Sequence, residues 1–205
     1  MIGYYDWAGG REALIRFGPH NGPVVIMSPP LFEEANRTRA FVVAILRTLA
    51  TRGVASVLPD LPGQGESLVE GDVPLAQLTE AMTALEDRVR AEGRDSYVVA
   101  LRAGSLVSAH DRQWWFAPMT NDEFARDSKR IARFSNTRSS DESPQKQIGL
   151  NMASTRTLRL SSDPRPADRK VEGIPLWHRS EPTTDPHLAA VLAGDIAGWT
   201  ATCAR

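Results

Sequence analysis

Three short apolar runs, Val24 to Met27, Val54 to Leu58 and Ser96 to Leu101, are separated by two segments of helical periodicity. That alternation constrains the fold more than any other feature of the chain. Compact runs rich in β-branched residues suit strands covered on both faces of a sheet. Between them, Arg37 to Thr51 places Phe41, Val42, Ile45, Leu46 and Leu49 on one helical stripe. Pro74 to Glu92 does the same with Leu75, Leu78, Met82, Leu85 and Val89. Apolar residues three and four apart bury one side of a helix. Asn36 is the candidate cap of the first helix, and Gly53 and Gly93 are plausible stops. Strand, helix and strand with short connections predict a mainly parallel α/β sheet with helices on both faces.

The flanking segments extend this frame. Tyr4 to Trp7 and Ala13 to Phe17 surround Gly9-Gly10 and read as an antiparallel hairpin at the sheet edge. Gly104 to Ala109 reads as a short helix, and Gln113 to Ala117 as a fourth strand of the parallel part. Trp114 and Trp115 are adjacent on that strand, so one faces each side of the sheet. Thr157 to Leu160 and Pro175 to His178 read as two late strands, and His187 to Trp199 as a closing helix. Between residues 120 and 155 the composition turns polar. A helix is expected there over Asp122 to Phe134, followed by a mobile loop over Ser135 to Pro144. The expected organisation is a single domain over residues 1–205 with a small polar lid insert at about 120–155.

With 205 residues, 41% of them hydrophobic and 24% charged, the chain can bury one ordinary core. A net charge of −1 offers no footprint for nucleic acid or an anionic membrane surface. No apolar run approaches the ~20 residues needed to span a bilayer. The N-terminus lacks a basic segment followed by an apolar one, so a cytoplasmic location is the expectation. Cys203 is the single cysteine, which excludes an internal disulfide. The four histidines, His20, His110, His178 and His187, show no metal-ligand spacing. Neither a metal nor another cofactor is expected, and the sequence is silent on oligomeric state.

Three stretches carry a family resemblance: PPLFEEANRTR (Pro29 to Arg39), LPDLPGQGES (Leu58 to Ser67) and ALRAG (Ala100 to Gly104). In that order they resemble the oxyanion loop, the Asp-x-x-Gly-x-Gly-x-Ser loop and the nucleophile elbow of α/β-hydrolases. More narrowly, they look like the type 2 α/β-hydrolases found beside exosortase A systems of some Gram-negative bacteria. The resemblance covers Val24 to Gly104 well and the rest loosely. It implies a cleft at the C-terminal ends of the parallel strands. The departure from the pattern lies at the elbow. Ala100 replaces its first glycine, and Arg102 stands where the nucleophilic serine belongs.

Arginine has no acceptor and stays protonated, so it cannot act as that nucleophile. It can bind an anion or pair with a carboxylate. The strand order implied by the resemblance places Glu33 or Glu34 beside Arg102, and an ion pair with one of them is expected. Leu31 would line the same pocket. Ser105 is the nearest serine, but it sits beyond the strained tip. Ser28 and Ser67 read as turn or capping hydroxyls. By the resemblance, Asp163 fits the position of the catalytic acid and His187 that of the histidine, with Pro186 as the first residue of its helix. Each also has a plain reading, as a loop aspartate and a solvated first-turn histidine. Asp60 would satisfy N–H groups of its own loop, and Asp163 to Lys170 reads as a solvated loop of mixed charge. Two functions compete. One is a non-hydrolytic binding protein with a small anionic ligand at Arg102. The other is a hydrolase or acyltransferase with displaced groups at Ser105, Asp163 and His187. An exosortase-linked role rests on the narrower resemblance alone.

Overall fold

The computed structural model describes residues 1–108, 110–135 and 155–203, with backbone alone for residues 129–135. The sheet has eight strands: β1 (Ile2–Trp7), β2 (Gly10–Phe17), β3 (Val24–Ser28), β4 (Ala55–Pro59), β5 (Ser96–Leu101), β6 (Gln113–Phe116), β7 (Thr155–Leu160) and β8 (Arg169–Val171). Their spatial order is β1-β2-β4-β3-β5-β6-β7-β8. The β1–β2 hairpin pairs antiparallel, and β2 joins β4 antiparallel. The remaining pairs are parallel.

Among the described residues, four helices accompany the sheet: α1 (Glu33–Thr51), α2 (Leu75–Ala91), α3 (Asn121–Ser135) and α4 (Pro186–Cys203). Residues of β3, β4 and β5 are buried on both faces because two apolar clusters sandwich the sheet. One cluster gathers Phe41, Ile45, Leu49, Trp114, Leu192 and Ile196 from α1, β6 and α4. The other gathers Tyr5, Leu14, Leu78, Met82, Leu85 and Val98 beneath α2. The continuous apolar runs of the strands and the 3.6-residue stripes of the helices thus meet across both faces.

Three local expectations are corrected. Helix α1 begins at Glu33, not at Arg37, so Asn36 lies inside it and caps nothing. Glu33 and Glu34 fill its first turn, where carboxylates complement the helix dipole. The Phe32 N–H is taken up by Gln64 Oε1 at 2.7 Å, from the neighbouring loop. The segment after β5 is a 3₁₀ turn over Arg102–Leu106, not a helix over Gly104 to Ala109; Ala109 is outside the described residues. Pro175 to His178 is no strand: Leu176–His178 forms one 3₁₀ turn, and the eighth strand lies earlier, at Arg169–Val171. Pro175 has no N–H to give a ladder, whereas β8 pairs with Leu158 to Leu160 inside the segment read as a solvated loop. The loop expected over Ser135 to Pro144 lies, beyond Ser135, outside the described residues.

Candidate functional site

The elbow forms because β5 runs straight into the tip. Leu101 is extended, and Arg102 then adopts φ 53°, in the left-handed region. Gly104 lets the turn lie against β3: a Cβ there would come within 2.4 Å of the Ser28 carbonyl oxygen and 2.5 Å of that of Pro29. Ser28 Oγ adds a hydrogen bond to the Gly104 carbonyl at 2.8 Å. The elbow is therefore built, with an arginine at its tip.

Arg102 turns inward, its side chain only 9% exposed. Nε donates to Glu34 Oε2 and Nη2 to Glu34 Oε1, both at 3.1 Å. Nη1 donates to the Ala117 carbonyl at 3.3 Å. The guanidinium carbon lies 4.5 Å from the centroid of the Trp177 ring, within cation–π range. The geometry thus chooses Glu34 as the partner. Glu33 points away and pairs with Arg37 at 2.9 Å. Leu31 packs into the apolar cluster beneath α2, together with Ala103, Met119 and Phe124.

Backbone strain gathers at this spot. Among the described residues, the non-glycine positions with positive φ are Phe32 (55°), Arg102 (53°) and Ala117 (47°). Phe32 precedes the first turn of α1, and Ala117 supplies the carbonyl that Arg102 binds. Each such position costs on the order of 1 kcal/mol, and conformations of this kind concentrate at functional sites.

The remaining candidates lie apart from one another. Ser105 is buried, and its Oγ donates to the Arg102 carbonyl at 2.9 Å. Ser67 Oγ bonds Glu12 and accepts from Gly63 and Val69. Asp163 follows β7 as anticipated, but it is clamped by Arg165 and Arg159. Those guanidinium groups, Arg165 foremost, hold its carboxyl well below the usual range. Arg165 also reaches Glu123 of α3 at 2.7 Å, tying the insert to this loop. His187 sits exposed in the first turn of α4, behind Pro186. Among the described residues, no hydrogen bond joins any two of Ser105, Asp163 and His187. His178 is exposed, edge-on to Trp177 with ring centroids 6.0 Å apart. His110 is bonded to Ser96 and held below its ordinary pKa by burial.

Asp60 does more than the sequence suggested. It accepts the Glu66 N–H, and also Arg39 Nη1 at 2.8 Å. Trp114 faces the α1–α4 cluster, and its indole N–H donates to Asp195. That of Trp115 donates to Gln113. Sequence reasoning missed Trp177, Ala117 and Asp195. The reading of Pro175 to His178 as a strand concealed Trp177, which sits on a single 3₁₀ turn. Among the described residues, no group of three or more His, Cys, Asp or Glu side chains is placed to hold a metal ion. No helix among them is long and apolar enough to cross a membrane.

The strand order, the leading hairpin and the elbow define an α/β-hydrolase fold. Solved structures of that fold are similar to this chain. One is a protein of unknown function from Agrobacterium tumefaciens, described as an alpha/beta hydrolase. It is 13% identical, covers 78% of this chain and 69% of its own, and has a TM-score of 0.56. Another, from Xanthomonas campestris, is described as an α/β serine hydrolase without lid. It is 17% identical, covers 78% of this chain and 70% of its own, and has a TM-score of 0.53. A loop variant of a haloalkane dehalogenase from Bradyrhizobium elkanii is 13% identical with a TM-score of 0.64, covering 100% of this chain and 98% of its own. No protein-family model and no curated protein sequence matches.

Proposed function

We propose that this is a binding protein on the α/β-hydrolase fold, without serine-nucleophile chemistry, whose site around Arg102 takes a small anion. The observation that carries the reading is the elbow tip. Its side chain is a guanidinium locked between Glu34, Ala117 and Trp177. A nucleophile needs a hydroxyl on that tip and a histidine within hydrogen-bond reach of it. Ser105 instead bonds backbone from inside the turn, and His187 and Asp163 are engaged elsewhere or free in solvent. The resemblance of Val24 to Gly104 to exosortase-associated proteins extends the reading to a role beside surface-protein or exopolysaccharide export. Deletion of the gene, with assay of both products, tests that extension.

The central test is intact-mass spectrometry after incubation with a fluorophosphonate probe. The expected result is no mass increase under conditions that fully label a control serine hydrolase. A stoichiometric adduct mapped to Ser105, Ser28 or Ser67 would overturn the reading and identify a displaced nucleophile.

A further inference from the structure

We propose that Glu34 is a built-in occupant of a carboxylate site on Arg102, and that a small monocarboxylate ligand takes its place. This rests on the reading of Arg102 as an anion site and names its ligand class. Three sides of the guanidinium are committed. Trp177 lies on one face, Nη1 is held by the Ala117 carbonyl, and the Nε–Nη2 edge faces Glu34. That edge is the one whose two parallel N–H groups match a planar carboxylate bidentately. Glu34 fills it as a ligand carboxylate would.

Exchange there conserves charge. A monocarboxylate replacing Glu34 leaves the buried guanidinium neutralised, whereas a phosphate dianion would bury surplus negative charge, which is costly without a further partner. Glu34 is also placed to leave. It is 19% exposed, against 9% for Arg102, so its carboxylate borders solvent. It lies in the first turn of α1, where N–H groups lack helical partners. Phe32, at φ 55° and ψ −126°, stands directly ahead of that turn. Relaxing this strained residue would offset part of the cost of moving the turn outward. Phe32 is stacked on Phe124 with ring centroids 5.9 Å apart. Phe32 stands two residues ahead of Glu34 in the chain, and benzoate, a monocarboxylate on an apolar ring, is the probe.

The experiment compares wild type, Glu34→Ala and Glu34→Ala/Arg102→Met by thermal unfolding. Sodium acetate, benzoate, chloride and phosphate are tested at matched ionic strength. Glu34→Ala should melt lower in chloride and regain stability with acetate or benzoate, but not with phosphate. The double variant should show no carboxylate-specific gain. Benzoate should bind Glu34→Ala roughly tenfold or more tightly than wild type, because the wild-type site is mostly filled by its own glutamate. Equal protection by chloride and benzoate, or a carboxylate gain retained in the double variant, overturns the proposal. Should Glu34→Ala not fold, wild type is titrated with benzoate while the Arg102 Nε–H signal is followed by NMR. A saturable shift that phosphate does not produce supports the exchange, and an unchanged signal overturns it. The two readings fail separately. A fluorophosphonate adduct overturns the non-hydrolytic reading and leaves the titration standing. A failed titration without an adduct removes only the ligand assignment.

Discussion

Arg102 and Glu34 neutralise each other at a largely buried position, their side chains 9% and 19% exposed. Arg102→Met should therefore strand the Glu34 carboxylate and destabilise the fold by about 3 kcal/mol. Adding Glu34→Leu should recover most of that loss, because two apolar side chains need no partner. Urea unfolding of the two variants checks both values, and an additive double variant would contradict the pair. Arg102→Ser puts a hydroxyl on the elbow tip yet should hydrolyse a p-nitrophenyl ester no faster than wild type, since no histidine is bonded at the tip. A rate above that of wild type would show that a base reaches the site. The ion pair was foreseen through the resemblance, whose strand order sets the ends of β3 and β5 side by side, as they are here. Which glutamate answers was not legible. Successive helical residues point about 100° apart, and the sequence pattern starts α1 only at Arg37, one turn too late. Trp177 is equally hidden, because its strand-like run folds as a single 3₁₀ turn.

At the scale of the element, α4 is fastened to the far half of the sheet through one carboxylate. Asp195 accepts from Trp114 of β6, from both Nε and Nη2 of Arg156 on β7, and from Arg169 on β8. Its side chain is 4% exposed. Burial opposes its charge, but the hydrogen bonds from Arg156, Trp114 and Arg169 prevail and bring its pKa down to about 2. A depressed folded-state pKa gives stability that is present above the unfolded value near 4 and lost as pH falls towards 2. The shift amounts to about 2 kcal/mol. Asp195→Asn should cost about that much at pH 7, and the difference from wild type should shrink below pH 4 and close as pH falls to about 2. Denaturant midpoints across that range test it; a gap that stays constant with pH would contradict the assignment. A lone acid inside His187 to Trp199, an otherwise apolar helix, was the visible signal. Its three partners were not, since they come from strands 26 to 81 residues away.

For the molecule as a whole, the strand order was implied by the family resemblance, but the mainly parallel α/β class followed from the sequence, because apolar runs and helical stripes alternate with short connections. The eighth strand did not. Its Arg-Lys-Val sits at a sheet edge, partly solvated, and carries no apolar run. The global pH response has a second contributor. Glu86, buried on α2, has its pKa pushed up by burial to about 7. A raised folded-state pKa gives stability that is full below the unfolded value and is lost as pH climbs through the folded one. Between pH 4.5 and 7 wild type should therefore lose about 3 kcal/mol relative to Glu86→Gln. Melting temperatures of the two proteins at pH 5 and pH 8 check this, and parallel profiles would contradict it. The contact of Gly104 with the main chain of β3 has a consequence of another kind. Backbone touching backbone sets the sharpness of the elbow, so the shape of the turn does not depend on what projects from its tip. A lineage or a designer can change the chemistry mounted at residue 102 while the architecture beneath it stays the same, provided the side chain at position 34 changes with it.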